Sequence, residues 1–486
     1  GFFLWTTDPL DPYLEKGDLA GCNCRSCYRL RSYCNLVRAG NPGCGTQCKV
    51  CLLACSLYGS LDHQSNDPEF ICESDPKMKI FYNIGIGLYY LAALLISPWN
   101  SKAKLWIRGR KGWKQDLKNA FKPGDRVVWV HCASLGEFEQ GRPVIEALRE
   151  ECADRKILLT FFSPSGYEKR KDYPLADHVM YLPLDTARNA RVLLASVPLE
   201  MVLFVKYEFW IHFLTRLKKK GIPVYLASGI FRANQVFFKW YGSWYRKILS
   251  AFTHIFVQDE YSRELLEAHA YTSVSVAGDT RFDRVGQLAV SDYTHPDMEA
   301  FAAEATVIVA GSTWEPDELL LQQAYKELPS DVKWIIAPHE LSGNHLEKLR
   351  ERFPGSVLFT EAEKNLTPQS RVVIVNTIGH LSHLYRYGTL AYIGGGFGKG
   401  IHNILEAATF GLPVFFGPNY QKFSEARELI DYGAAFSVSG PGELLSTVHE
   451  QLANSDLLKT TSEIASNYVM ERLGASSRII QKLCKK

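Results

Sequence analysis

VVWVHCASLGEFEQGRPVIEALREE (residues 127–151) sets the parsing of the whole chain. Its first four residues are an uninterrupted β-branched and aromatic run, the composition of a strand buried on both faces of a parallel sheet. Residues 142–151 then carry apolar positions at helical spacing, with charges between them. A strand that runs through a short polar turn into a helix is one βα unit, and the same unit recurs downstream. ILLTFF (157–162), MVLFV (201–205), VYLAS (224–228) and HIFVQ (254–258) are the further strands of a first series, with helical patterns such as residues 211–220 between them. Around residues 283–299 the sequence turns polar and Pro-containing, which reads as an interdomain linker. A second series follows: VIVAG (307–311), WIIAP (334–338), VVIVN (372–376), LAYIGG (390–395) and PVFFG (413–417).

Two such series in succession predict two doubly wound, Rossmann-like α/β domains, with the chemistry in loops at the carboxyl ends of the strands. The predicted boundaries are residues 126–285 for the first domain and 300–486 for the second. Residues 78–125 come before them, and 80–96 (IFYNIGIGLYYLAALLI) are mostly apolar, at the short limit of about 17–25 residues for a bilayer span. Lys102, Lys104, Arg108, Arg110 and Lys111 follow, interleaved with Trp99, Trp106 and Trp113. Basic residues beside a first apolar segment keep that side cytoplasmic, and Trp favours the interface, so an uncleaved membrane anchor is expected. A net charge of +3 in 486 residues carries no nucleic-acid footprint.

Nine of the 12 cysteines precede Met78. Cys22-x-Cys24-x2-Cys27 and Cys48-x2-Cys51 have ligand-like spacing, but residues 1–77 lack sustained periodicity and the first Met is Met78. They are expected to be an upstream extension outside the working enzyme. The remainder, with Cys132, Cys152 and Cys484, reads as a reducing-compartment protein without a disulfide framework.

Several turns carry candidate chemistry, each beside a plainer reading. In His131–Glu137, Ser134 and Glu137 match a Ser-x-x-Glu capping box, while Glu137 at a strand's end is also placed to act as a general base. Glu139 is a neighbouring competitor on the helix. Lys206-Tyr207-Glu208-Phe209-Trp210 is either a surface ion pair or a carboxylate perturbed by bulky aromatics. Ser312 and Thr313 either cap a helix or meet a phosphate. His339, after strand 334–337, is alone a structural histidine. GGGFGKGIHNILE (394–406) lets backbone approach a ligand closely, and Asn403 and Glu406 share a helix face suited to a ribose and phosphate or to a cap. The glycines fall late in the chain and no acid ends the next strand, which argues against a dinucleotide fingerprint.

Taken together, HCASLGE (131–137), FFSPSGYE (161–168), YLPLD (181–185), KYEFW (206–210), GDTRFD (278–283), GSTWE (311–315) and the glycine-rich segment through GLPVFFGP (411–418), with Phe423 and Glu425 beyond it, occur in the order of the Kdo transferases, which add 3-deoxy-manno-octulosonic acid to lipid A. The likeness extends to MKIFYNIG (78–85) and covers about residues 78–480. The resemblance implies a GT-B fold, CMP-Kdo as donor, a lipid A precursor as acceptor, inversion at the anomeric carbon, no cofactor or metal, and catalytic domains on the cytoplasmic face of the inner membrane. It implies Glu137 and Glu208 as catalytic residues, and Ser312, Thr313, His339, Gly396, Asn403 and Glu406 as CMP-Kdo contacts. Arg281 stands where the family usually has Lys. Ala337-Pro338-His339 lacks a phosphate-facing Arg of the family, which leaves Lys399 or Arg281 to substitute, and Gly229-Ile230-Phe231-Arg232 replaces an Arg-Leu-Ser element. Two other readings fit the same turns: a GT-B transferase using another nucleotide sugar, such as a UDP-hexosamine, and a membrane-tethered nucleotide-binding protein without catalysis.

Overall fold

A computed structural model describes residues 76–484 apart from Pro368. Residues 80–484 belong to one compact unit. The cysteine-rich segment and its ligand-like spacings lie outside the described residues.

Each predicted series becomes one seven-stranded parallel sheet. The first has the order β3-β2-β1-β4-β5-β6-β7, with β1 Val127–Cys132, β2 Lys156–Phe161, β3 His178–Tyr181, β4 Leu199–Val205, β5 Val224–Gly229, β6 His254–Val257 and β7 Val274–Val276. The second has the order β10-β11-β9-β8-β12-β13-β14, with β8 Val307–Thr313, β9 Lys333–Pro338, β10 Val357–Leu358, β11 Val372–Ile374, β12 Leu390–Ile393, β13 Val414–Phe416 and β14 Ala435–Ser437. Helices between strands cover both faces, so β1 is buried at every position. This is the GT-B arrangement. The predicted strands are all present. The four strands that sequence patterning did not find, β3, β7, β10 and β14, are the outer strands of the two sheets.

Three expectations need correction. Residues 283–299 are not simply a linker, because a helix runs over Thr280–Ala289 and inserts Phe282, Val285 and Leu288 into the second domain's core. Buried Asp283 accepts bonds from Ser476 N (2.6 Å) and Ser476 Oγ (2.7 Å), which ties this helix to the start of the last one. The second domain does not hold the chain to its end: the helix Ala475–Cys484 puts Ile479, Ile480 and Leu483 into the core around β1 and β2. Its apolar stripe finds its partner on the first sheet, so the chain crosses back. That return brings Cys484 to Cys152, and the two form a disulfide where none was expected.

Ahead of the first sheet, the helix Pro76–Ile96 contains the one segment among the described residues that is long and apolar enough to cross a membrane, Met78–Ile96. Helices Ser101–Arg108 and Trp113–Ala120 follow and pack Trp106, Trp113 and Leu117 inward.

Candidate active site

The end of β1 feeds directly into the helix Leu135–Glu151, whose N-cap is Ser134. Glu137 Oε2 accepts from Ser134 N at 2.7 Å and from Ser134 Oγ at 2.8 Å, so the predicted cap is real. Among the described residues no hydrogen bond holds the other carboxylate oxygen. Burial raises the Glu137 carboxyl above its ordinary value, and the nearby Glu208 carboxylate raises it further. Its competitor is differently placed. Glu139 lies 2.8 Å from Arg170, with Arg284 and Arg142 at 3.7 and 4.0 Å, which satisfies it as a structural ion pair.

Glu208 follows β4 and is 2% exposed. Its Oε2 lies 3.2 Å from His131 Nε2, and His131 Nδ1 lies 2.8 Å from Thr160 Oγ1, which itself accepts from Trp129 Nε1 at 2.8 Å. His131 Nδ1 also lies 3.1 Å from Thr160 O, and Trp210 Nε1 donates toward His131 Nε2 at 3.3 Å, so the imidazole is held at both nitrogens. Burial is the largest influence on Glu208 and works against its charge, but the groups around it, the His131 bond foremost, together hold the carboxyl below the usual range. Two carboxylates at adjacent strand ends are thus displaced in opposite directions, the pattern that separates acid–base roles. Between them in sequence sits Lys206, read above only as one half of a surface ion pair. Lys206 has φ 69°, and burial depresses its ammonium, with nearby Arg281 adding to the effect. A non-glycine residue held there is strained, and such positions gather at functional sites.

Across the cleft the site is made of backbone. Ser312 has φ 55°, and a Cβ on Gly394 would lie 2.3 Å from Ser312 O. A Cβ on Gly396 would lie 2.5 Å from Gly417 N, so these turns pack too closely for any side chain. Asp317 pins them by accepting from Gly395 N, Trp314 N and Tyr392 OH, each at 2.9 Å. Thr313 is buried, and its hydroxyl points back to Glu318 at 3.3 Å. Asn403 Oδ1 caps Leu405 N at 3.2 Å while its Nδ2 donates to Glu406 Oε1 at 3.0 Å. Burial raises Glu406, and the Asn403 bond opposes that shift. His339 stacks on Trp314 at 4.4 Å and on His402 at 4.8 Å, and Trp314 Nε1 donates to His402 Nε2 at 3.2 Å, an aromatic cluster that no local motif announced.

The comparisons agree with this picture. A family model described as 3-deoxy-D-manno-octulosonic-acid transferase (kdotransferase) matches residues 107–284, from the basic collar through the whole first sheet. The 3-deoxy-D-manno-octulosonic acid transferase of Bordetella pertussis is 26% identical over 433 residues, covering 82% of this chain and 99% of that protein. The enzyme of the same name from Aquifex aeolicus is 28% identical over 348 residues, covering 70% of this chain and 89% of its own length. The chain is similar to the Kdo transferases over most of its length. A solved UDP-GlcNAc 2-epimerase from Neisseria meningitidis has the same fold, with a TM-score of 0.53 at 16% identity over 74% of this chain and 100% of its own.

The two substitutes for the arginine that the Kdo transferases carry differ. Arg281 is committed, its Nε 2.7 Å from Asp279 and its Nη1 2.8 Å from Glu425, so it ties the helix Thr280–Ala289 to the second domain. Lys399 is exposed in the glycine-rich turn, with no hydrogen bond or ion pair among the described residues, and so remains free to meet an anion.

Proposed function

We propose that this chain transfers Kdo from CMP-Kdo to a hydroxyl of a lipid A precursor, with inversion at the anomeric carbon. The observation that carries the reading is the pair of carboxylates with opposite displacements, Glu137 upward and Glu208 downward, facing a glycine-built cradle. Glu137 takes the proton from the acceptor hydroxyl as that oxygen bonds to the anomeric carbon. The bond from that carbon to the CMP phosphate oxygen breaks, and CMP leaves with the electron pair toward the second domain. A raised carboxyl is the stronger base, and its free oxygen is available for the proton.

His131 keeps Glu208 ionised and oriented, so a fixed negative charge supports the oxocarbenium character that develops at the sugar. On the donor side, Ser312, Thr313 and Gly396 supply the close-packed backbone, His339 with Trp314 and His402 a face for the base, and Asn403 and Glu406 the ribose contacts. Lys399 meets the departing phosphate. The apolar helix and basic collar support a cleft that works at the cytoplasmic face of the inner membrane, beside a lipid-borne acceptor.

The test incubates the full chain with CMP-Kdo generated in situ and lipid A precursor, and weighs the products. A mass increase of one or more Kdo units is expected, and its absence with an active control overturns the reading. Calorimetric titration with CMP, UDP and GDP separates the UDP-sugar alternative, because only CMP is expected to bind.

A further inference from the structure

The apolar helix Pro76–Ile96 is cemented along one side to the first domain. Tyr82 OH donates to Asp185 Oδ2 at 2.7 Å, and Asn83 Oδ1 lies 2.7 Å from His212 Nε2. One turn further, Ile86 is buried. Tyr89 then packs edge-on against Trp106 at 5.2 Å and stacks on Phe162 at 6.1 Å. These residues recur at helical spacing, so a single stripe is docked. Tyr82 and Tyr89 are about 10 Å apart along the axis at 1.5 Å per residue. Arg110 locks the segment behind it: it lies 3.9 Å over the Trp106 ring and donates to the carbonyls of Leu182 and Phe162, each at 2.8 Å.

The rest of the circumference is apolar and bare. Phe81, Ile84, Leu88, Leu91 and Leu95 are each more than half exposed, far more contiguous apolar surface than water tolerates on a lone protein. Trp99 is 87% exposed at the helix's end. Lys102, Lys104, Arg108, Lys111 and Lys118 are exposed beyond it, with Asp116 the single acid between residues 97 and 124. Bare aliphatics, a projecting Trp and a cationic border complement an anionic lipid surface.

A helix that crossed the bilayer would take Tyr82, Asn83 and their polar partners Asp185 and His212 into hydrocarbon, where such groups are costly. We infer that this helix lies in the plane of an anionic leaflet, with both ends on the side of the catalytic domains. The docked edge also reaches the chemistry. Phe162 lies 4.9 Å from Trp210, whose Nε1 is 3.3 Å from His131 Nε2, the group that holds Glu208. The lipid-facing surface therefore ends two rings from the carboxylates, and a lipid-borne acceptor enters over the Tyr89–Phe162 edge. This rests on the membrane part of the proposed function, and it differs from a spanning anchor in a measurable way.

The full chain is given two sites for a sequence-specific protease, one just ahead of Pro76 and one in the exposed turn at Gln369. It is reconstituted with detergent into sealed phosphatidylcholine–phosphatidylglycerol vesicles in both orientations. An in-plane helix keeps both sites on one side, so each molecule is cut at both or at neither until detergent is added. Molecules cut at only one site mean a spanning helix and overturn the inference, as does failure to associate with the vesicles. In a separate binding assay, Lys102→Gln, Lys104→Gln and Arg108→Gln together are expected to weaken vesicle binding about a hundredfold, at about fivefold per charge. Unchanged binding would overturn the electrostatic half. Transferase activity is assayed separately, so its loss with the same cleavage pattern would count against the reaction and leave the topology standing.

Discussion

The two halves of the cleft are built by different means. In the first domain the site is side chains under electrostatic tension: Glu137 is raised by burial and by Glu208, while Glu208 is held down through His131 and Thr160. In the second domain the site is backbone brought close by glycine, and its polar side chains are largely satisfied by one another, as Asn403 and Glu406 are. Caps occur in both halves: the Glu137 cap leaves one carboxylate oxygen without a hydrogen bond among the described residues, whereas Asp317 uses both of its oxygens. Substitutions in the first half should therefore act on turnover, and those in the second on nucleotide binding and local stability together.

The sharpest way to break that contrast is Glu137→Gln. Gln retains an acceptor for the Ser134 bonds but cannot take a proton, so turnover should fall by about a hundred- to ten-thousandfold. CMP affinity by calorimetry should stay within about twofold of wild type. Activity within threefold of wild type would move the base elsewhere and remove the asymmetry.

Asn403→Ala and Glu406→Ala test the other half. Each removes a charge-assisted bond worth about 1.5–3 kcal/mol, so CMP binding should weaken about ten- to a hundredfold. A melting temperature that drops sharply while the folded fraction binds CMP normally would mean that the pair only caps.

The pH dependence of stability sharpens the comparison at Glu137 itself. Its folded carboxyl lies above the unfolded value, so its contribution to stability is fully present below about pH 4.3 and is lost as pH rises through the raised folded value. Between acid and neutral pH, chemical denaturation should show Glu137→Gln gaining stability relative to wild type. A relative loss over that range would mean that Glu137 is stabilised as an anion and is a poor base. The smallest effect is expected at Lys399→Ala. An exposed charge contributes about 0.2–1 kcal/mol, so CMP-Kdo affinity should fall no more than about fivefold, and less at high salt.

Interior strands and turn chemistry were legible in the chain because they depend on local pattern. A strand segment covered on both faces must be continuously apolar, and residues 127–130, 201–205, 307–310 and 334–337 of β1, β4, β8 and β9 are. The glycines of residues 394–400 announced a close approach because no other residue fits one, and Ser134 with Glu137 announced a cap because the spacing reaches one turn. Edge strands left a weaker trace. β3 and β14 are partly uncovered, so His178 and Ser437 interrupt the pattern. The return of Ala475–Cys484 to the first sheet, its disulfide to Cys152, and the stack of Trp314, His339 and His402 join residues far apart in the chain, which no window of sequence contains. The helix Pro76–Ile96 shows the division within one element. Its sequence determined that it would be apolar and helical; whether it stands alone or lies against a domain depended on Asp185, His212 and Phe162, which only the folded chain brings beneath it.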